Sequence, residues 1–521
     1  MKNRVQLIAY ADRLGGTLQG LLDLLRGPLS GLFGGVHLLP FFEPIDGADA
    51  GFDPIDHTKV DVRLGSWDDV RALAAEVDVM ADVIVNHVSS GSAQFLDFAA
   101  HGAHSRYAGL FLTFDRVFPG GASEQDLLAI YRPRPGLPFT TTTLADGSRR
   151  ILWTTFTPEQ IDIDVGHPEG ERYLEVILEM FAANGIRMIR LDAVGYAIKK
   201  AGRSCFMMPE TFDFIAKFAE RAKHRGLEVL VEIHSYHGQQ VEIARHVDWV
   251  YDFALPPLVL HTLFGRTADA LKRWIEIRPT NALTVLDTHD GIGVIDIAAD
   301  PLDRDGRPGL VTEPELARLV QQIHANSNGQ SLQATGAAAT NLDLYQINCT
   351  FYDALGRDAA KYLLARAIQF FLPGVPQVYY IGLLAGKNDM QLLAHTRVGR
   401  DINRHCYTRT EIDAALDRPV VADLLGLIRI RNAHAAFDGT FAMAASPEHV
   451  LDLRWRNGAE HARLHVDLRS HQSRIELSRD GRTETLRFGT EPGAIDPPAA
   501  DADDAAARGG YSLRTFVTTD A

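Results

Sequence analysis

Along most of this 521-residue chain, short apolar runs alternate with stretches whose apolar positions recur every three or four residues. The runs are Val5 to Tyr10, Val36 to Pro40, Val79 to Asn86, Arg187 to Asp192, Leu227 to Ile233, Val250 to Phe253, Leu283 to Asp287 and Val375 to Tyr380. Runs of this kind, bounded by turn residues, read as buried strands. Helical spacing falls between them, over Trp67 to Glu76, Glu169 to Asn184, Pro209 to Arg225 and Ala359 to Leu372. Eight such units predict an α/β fold, a (β/α)8 TIM barrel, and no Gly-x-Gly-x-x-Gly follows any strand to favour an open sheet.

Two connections are too long for ordinary barrel loops. One follows the third strand, rich in Gly, Pro, Thr and aromatics, and predicts an inserted domain over residues 86–166. Another follows the seventh, with one helical pattern from Glu313 to Ala325, and predicts a second inserted domain over residues 292–356. That leaves residues 1–85, 167–291 and 357–436 for the barrel. Beyond them the pattern shifts to short alternating runs, Val450 to Trp455, Ala462 to Leu468 and Ser473 to Leu477, so residues 437–521 predict a small β domain. Within it, Asp496 to Gly510 reads as a mobile connector before a last strand at Tyr511 to Val517.

The net charge of −15 argues against a nucleic-acid or anionic-membrane partner. No stretch approaches the length of a membrane span. Lys2 and Arg4 precede an apolar run that Asp12 and Arg13 interrupt too early for a signal segment, and Cys205, Cys349 and Cys406 fit no disulfide framework. Together these predict a cytoplasmic protein.

The chemistry collects where strands end. Side chains alternate along a strand, so Arg190 and Asp192 share one face, as do Glu232 and His234. The third strand ends at Asn86-His87, and His289-Asp290 lies just past the seventh. Each residue alone has a structural explanation, as an ion pair or a satisfied core group. Jointly they place several ionisable groups at one end of a barrel, at a desolvation cost a scaffold has no reason to incur. Acids around a pocket suit glycosyl transfer with retention, in which one carboxylate attacks the anomeric carbon and a second serves as acid and base. Arg190 favours the charged form of Asp192. Metal binding is the rival for a His/Asp/Glu cluster, but no His-x-x-x-His or His-x-His spacing falls among these residues.

Asp82 with Asn86-His87, Arg190-x-Asp192, Glu232 and His289-Asp290 resemble the four ordered motifs of the α-amylase superfamily, glycoside hydrolase family 13. The stretches Gly47 to His57, Tyr131 to Phe139, Asn341 to Gln346 and Gly399 to His405 are similar, within it, to the phosphorylases that act on sucrose. The resemblance covers residues 1 to about 436. It implies Asp192 as nucleophile, Glu232 as acid/base and Asp290 as transition-state stabiliser. It implies that Asp49, His87, Arg190, His289 and Arg400 hold the glucosyl ring between the apolar walls Phe52 and Phe156. Tyr196, His234 and Gln160 then line the acceptor side, which two loops carrying Arg134 and Leu342, Asp343, Tyr345 and Gln346 shape.

The implied small-molecule ligands are sucrose, phosphate, glucose 1-phosphate and fructose, with phosphate as co-substrate, no cofactor, no metal and a homodimer. Arg134 is the candidate cation for phosphate. Some relatives carry calcium near the third strand, and Asn86 alone does not establish such a site. Alternatives keep the chemistry and change the acceptor: phosphorylases of sucrose 6′-phosphate, glucosylglycerate or glucosylglycerol, or a retaining α-glucosidase. A barrel that only binds sugar would lack the acids.

Overall fold

Buried on both faces, the eight apolar runs close on themselves. The computed structural model describes residues 1–132, 136–300, 306–335, 346–470, 473–479, 481–488 and 514–518. Its barrel strands are Gln6–Ala9, Gly35–Leu38, Asp78–Ile84, Met188–Asp192, Glu228–Val231, Trp249–Asp252, Ala282–Thr284 and Val375–Tyr379, all parallel and each paired with its neighbours. Every sequence-predicted barrel strand is present, most of them a residue or two shorter than the apolar run. Glu232 and Asp287 therefore lie just past strand ends.

Helices begin where the sequence offers caps. Trp67–Glu76 starts at a capping box of Ser66 and Asp69, Glu313–Asn326 at one of Thr312 and Glu315, and Pro168–Ala183 carries proline in its first turn. They cover the barrel with buried Leu, Ile and Phe, as in Leu174, Ile177, Leu178 and Phe181 of Pro168–Ala183.

The barrel interior is not wholly apolar. Register sets Arg190 opposite Asp82 on the adjacent strand, and Arg190 Nη1 donates to Asp82 Oδ1 at 2.6 Å. His37 Nε2 lies 3.1 Å from the other Asp82 oxygen, with the Tyr251 hydroxyl 3.3 Å from His37 Nδ1. Burial works against the Asp82 carboxylate, but His37 and Arg190 outweigh it and pull it down to about 2. Asp82 is thus the floor on which Arg190 stands.

The long connection after the third strand has its own small core, in which Leu112, Phe118, Ile130 and Trp153 pack with Cys205 from beyond the fourth strand. Its ends return as an antiparallel pair, His87–Ser89 with Gln160–Asp162, and a hairpin pairs Phe139–Thr143 with Arg149–Trp153. After the seventh strand, Ile292–Gly293 pairs with Gln346–Ile347. The C-terminal sheet runs in sequence order through Thr440–Met443, Val450–Asn457, Glu460–Asp467, Ser473–Arg479, Arg482–Phe488 and Arg514–Thr518, all antiparallel. It docks on Ala359–Phe371, the helix before the eighth barrel strand, where the Trp455 indole donates to the Phe371 carbonyl at 2.7 Å. The expected connector, Asp496 to Gly510, lies outside the described residues.

One buried cation fastens the first insertion to the barrel. Lys199 Nζ pairs with Asp162 Oδ2 at 2.5 Å, donates to Asn86 Oδ1 at 2.5 Å and also reaches the Tyr196 carbonyl. An ammonium thus takes the position among Asn86 and Asp162 that an oxygen-liganded cation would need. Lys199→Met is expected to lower stability by about 3 kcal/mol, because it leaves the Asp162 carboxylate buried without its counter-charge. Denaturant unfolding measures it, and adding Asp162→Asn should recover most of the loss.

Candidate active site

At the C-terminal ends of the strands, Arg190 carries the densest electrostatic junction. Its guanidinium lies 2.6 Å from Asp82, 3.0 Å from Asp192 and 3.6 Å from Glu232. The two groups expected on one face of the fourth strand do meet. The consequence differs from the expectation that Arg190 holds Asp192 ionised, because one guanidinium is divided among three carboxylates. Burial lifts the Asp192 carboxyl well above its ordinary range, Arg190 opposes that, and Glu232, Asp82 and Asp290 reinforce it. Arg190 alone therefore does not offset the burial of this carboxyl. Ala193, the next residue, sits in the left-handed region at φ 53°, a conformation that costs about 1–3 kcal/mol and collects at functional sites.

Asp290 is the opposite case. Burial would raise it, but Arg400 foremost, then His289, His234 and Arg190, hold it far below the carboxylate range. Arg400 Nη1 lies 3.0 Å from Asp290 Oδ1 and donates to Asp49 Oδ2 at 2.8 Å, so two residues that the resemblance implies hold the sugar ring meet each other. The loop bearing Asp290 is fixed by Asn403, whose amide donates to the Thr288 carbonyl at 3.0 Å.

Around these acids stand aromatic and imidazole walls. Phe52 stacks on His289 at 4.8 Å between ring centroids, and Phe156 meets His87 edge-on at 5.4 Å and Tyr196 at 5.2 Å. Burial pulls the His289 imidazole down to about 3 and lowers His87 too, so both are neutral, and the His289 ring can offer an N–H to a sugar hydroxyl. His87 Nε2 lies 3.0 Å from both the Phe52 carbonyl and the Gln160 amide nitrogen. His234 Nε2 is 4.0 Å from an oxygen of Glu232 and 4.0 Å from one of Asp290. Gln346, expected in an acceptor loop, is buried, and its Oε1 accepts the Gly291 N–H at 3.3 Å, so it braces the Asp290 loop. Arg134, Leu342, Asp343 and Tyr345 lie outside the described residues.

The α-amylase catalytic-domain model matches residues 9–250. Sucrose phosphorylase of Agrobacterium vitis is 62% identical over 92% of this chain and 98% of its own, and that of Bifidobacterium adolescentis 57% identical over 89% and 92%. The chain belongs to the α-amylase family. Among solved structures of that family, sucrose 6F-phosphate phosphorylase from Thermoanaerobacter thermosaccharolyticum superposes with a TM-score of 0.84 at 38% identity, over 92% of this chain and 96% of the other.

Two residues of this α-amylase-family site had no role in the sequence reading. Arg404 is fully buried; its Nη atoms donate to Asp49 Oδ1 at 3.2 Å and its Nε to the His289 carbonyl at 3.0 Å. Asp49, at φ 51°, is thereby clamped between two guanidiniums in a left-handed conformation. Asp296 is the other, hydrogen-bonded to His234 at 2.7 Å. Arg404 lay within a quoted motif, but nothing in its spacing distinguished it from Arg400; Asp296 lay in no motif.

Among the described residues, one group could offer three metal ligands, Glu232, His234 and Asp290, with ligand atoms within 4.8 Å of one another. The cations already facing it, Arg400 on Asp290 and Arg190 on Glu232, supply the positive charge that an ion would bring. The donor set fits a glycosyl site better than a metal site.

Proposed function

We propose that this chain is a retaining glucosyltransferase that phosphorolyses sucrose to α-D-glucose 1-phosphate and D-fructose. What carries the reading is the convergence of Asp192, Glu232 and Asp290 with two guanidiniums at one barrel mouth, in a chain 62% identical to a sucrose phosphorylase over nearly its whole length. Asp192 is the nucleophile: its carboxylate attacks C1 of the glucosyl unit as Glu232 gives a proton to the glycosidic oxygen. The C1–O bond breaks, its electron pair stays with fructose, and fructose leaves. A phosphate oxygen then attacks C1, the C1–Asp192 bond breaks, and Glu232 accepts whatever proton the incoming oxygen carries.

Asp290, held as an anion by Arg400, stabilises the positive charge that develops on the ring. Asp49, Arg400, His87, His289 and Arg190 hold the sugar between Phe52 and Phe156, while Tyr196, Gln160 and His234 face the acceptor together with Arg134, Leu342, Asp343 and Tyr345. The reaction needs no cofactor and no metal, because two enzyme carboxylates and phosphate itself supply every group that moves. Free thiols at Cys205, Cys349 and Cys406 support a cytoplasmic setting, and the family resemblance supports a homodimer.

A donor panel in phosphate buffer tests the assignment. Sucrose should give the highest kcat/KM among sucrose, sucrose 6′-phosphate, glucosylglycerol and glucosylglycerate. A faster reaction with any of the other three would move the assignment to that donor.

A further inference from the structure

His234 is supported from behind more elaborately than a residue that merely lines a pocket. Its Nδ1 lies 2.7 Å from Asp296 Oδ2. The other oxygen of Asp296 accepts the Ser235 backbone N–H at 3.1 Å and the Gln240 amide at 2.8 Å. Two N–H donors and an imidazole nitrogen thus converge on one carboxyl with no exposure; burial raises that carboxyl, and His234 foremost, then Ser235 and Gln240, oppose the rise. The imidazole plane is fixed as well, stacked on Phe253 at 3.8 Å with 15° between rings.

Backbone geometry also makes way for the pair. A Cβ at Gly293 would fall 2.1 Å from Asp296 Oδ2 and 2.8 Å from His234 Nδ1, so only glycine leaves the contact intact.

Resting on the proposed phosphorolysis, we propose that Asp296 is a positioning residue that holds His234 as an imidazolium with Nε2–H aimed between Glu232 and Asp290, where it anchors the incoming phosphate. The need follows from charge. Phosphate enters a site where Asp192 is esterified but Glu232 and Asp290 remain, and an anion approaching those two acids requires a desolvated cation beside its path. Nε2, 4.0 Å from one oxygen of each, is in line to donate to a non-attacking phosphate oxygen.

Among the described residues, the charged and titratable groups around the ring are Asp296, Glu232 and Asp290, while Asp287 and the thiol of Cys349, which burial keeps protonated, line the same cavity. Burial pulls the His234 imidazole down, but Asp296 first, then Glu232 and Asp290, more than offset it and leave it raised. Water and fructose, being neutral, gain less from this cation than phosphate does.

Asp296→Asn tests the inference by steady-state formation of glucose 1-phosphate from sucrose across phosphate concentration and pH, with phosphate-free release of glucose from sucrose as a second channel. KM for phosphate should rise about tenfold or more, the ordinary loss for a charged hydrogen bond. The alkaline limb of phosphorolysis should move to lower pH, because a histidine without its carboxylate loses its proton sooner. Hydrolysis should fall less than phosphorolysis.

Gly293→Ala, which crowds the same contact without touching either side chain's chemistry, should shift the phosphate KM in the same direction and serves if Asp296→Asn does not fold. Equal losses in both channels, or an unchanged phosphate KM and pH limb, would overturn the role of Asp296. A wild-type protein that forms no glucose 1-phosphate from sucrose would instead overturn the underlying function.

Discussion

Asp192→Ala is expected to lose turnover of sucrose by at least about ten-thousandfold, the scale on which removing a covalent nucleophile acts. Asp192 ends the fourth strand 3.0 Å from Arg190 and is followed by a residue in a strained left-handed turn. No described neighbour can take over. Glu232 stands 3.6 Å from the same guanidinium but carries the proton transfers, and Asp290 is engaged by Arg400. Removing one acid from this crowded pocket relieves like-charge repulsion, so the variant should fold at least as stably as the parent. A rate within tenfold of the parent's would place the nucleophile elsewhere.

Glu232→Gln separates the acid from the nucleophile. With sucrose its rate should drop about a hundred- to ten-thousandfold, because the fructosyl oxygen is a poor leaving group without a proton. With α-glucosyl fluoride, whose leaving group needs no proton, most of the glucosylation rate should return. Phosphate then attacks as an anion that needs little help from a base. No recovery with the fluoride would mean that Glu232 positions substrate rather than protonating it.

The eight strands were legible because each is buried on both faces and so reads as an unbroken apolar run. The Arg190–Asp192 face followed from strand alternation, and Asp49 and Arg400 as holders of one sugar ring from the family resemblance. What sequence could not supply were partners fixed only by closure of the fold. Arg404 reaches Asp49 across 355 positions, Lys199 reaches Asn86 across 113, and Asp296 reaches His234 across 62. No local pattern marks such residues, since helix and strand periods report a face and not what faces it.

The hairpin strand Phe139–Thr143 was hidden for a related reason, because its four threonines show no alternation of polarity. The charge state of the site was also beyond the sequence. The pairing of Arg190 with Asp192 was readable, but the competing claims of Asp82 and Glu232 on the same guanidinium emerge only from the barrel's register.

The most direct measurement follows sucrose by NMR with and without inorganic phosphate. With phosphate, α-glucose 1-phosphate and fructose should appear in equal amounts and at equal rates, and without it both sucrose consumption and free glucose should be slow. Free glucose released at the same rate whether or not phosphate is present, or glucose 1-phosphate of the β configuration, would contradict a retaining phosphorylase.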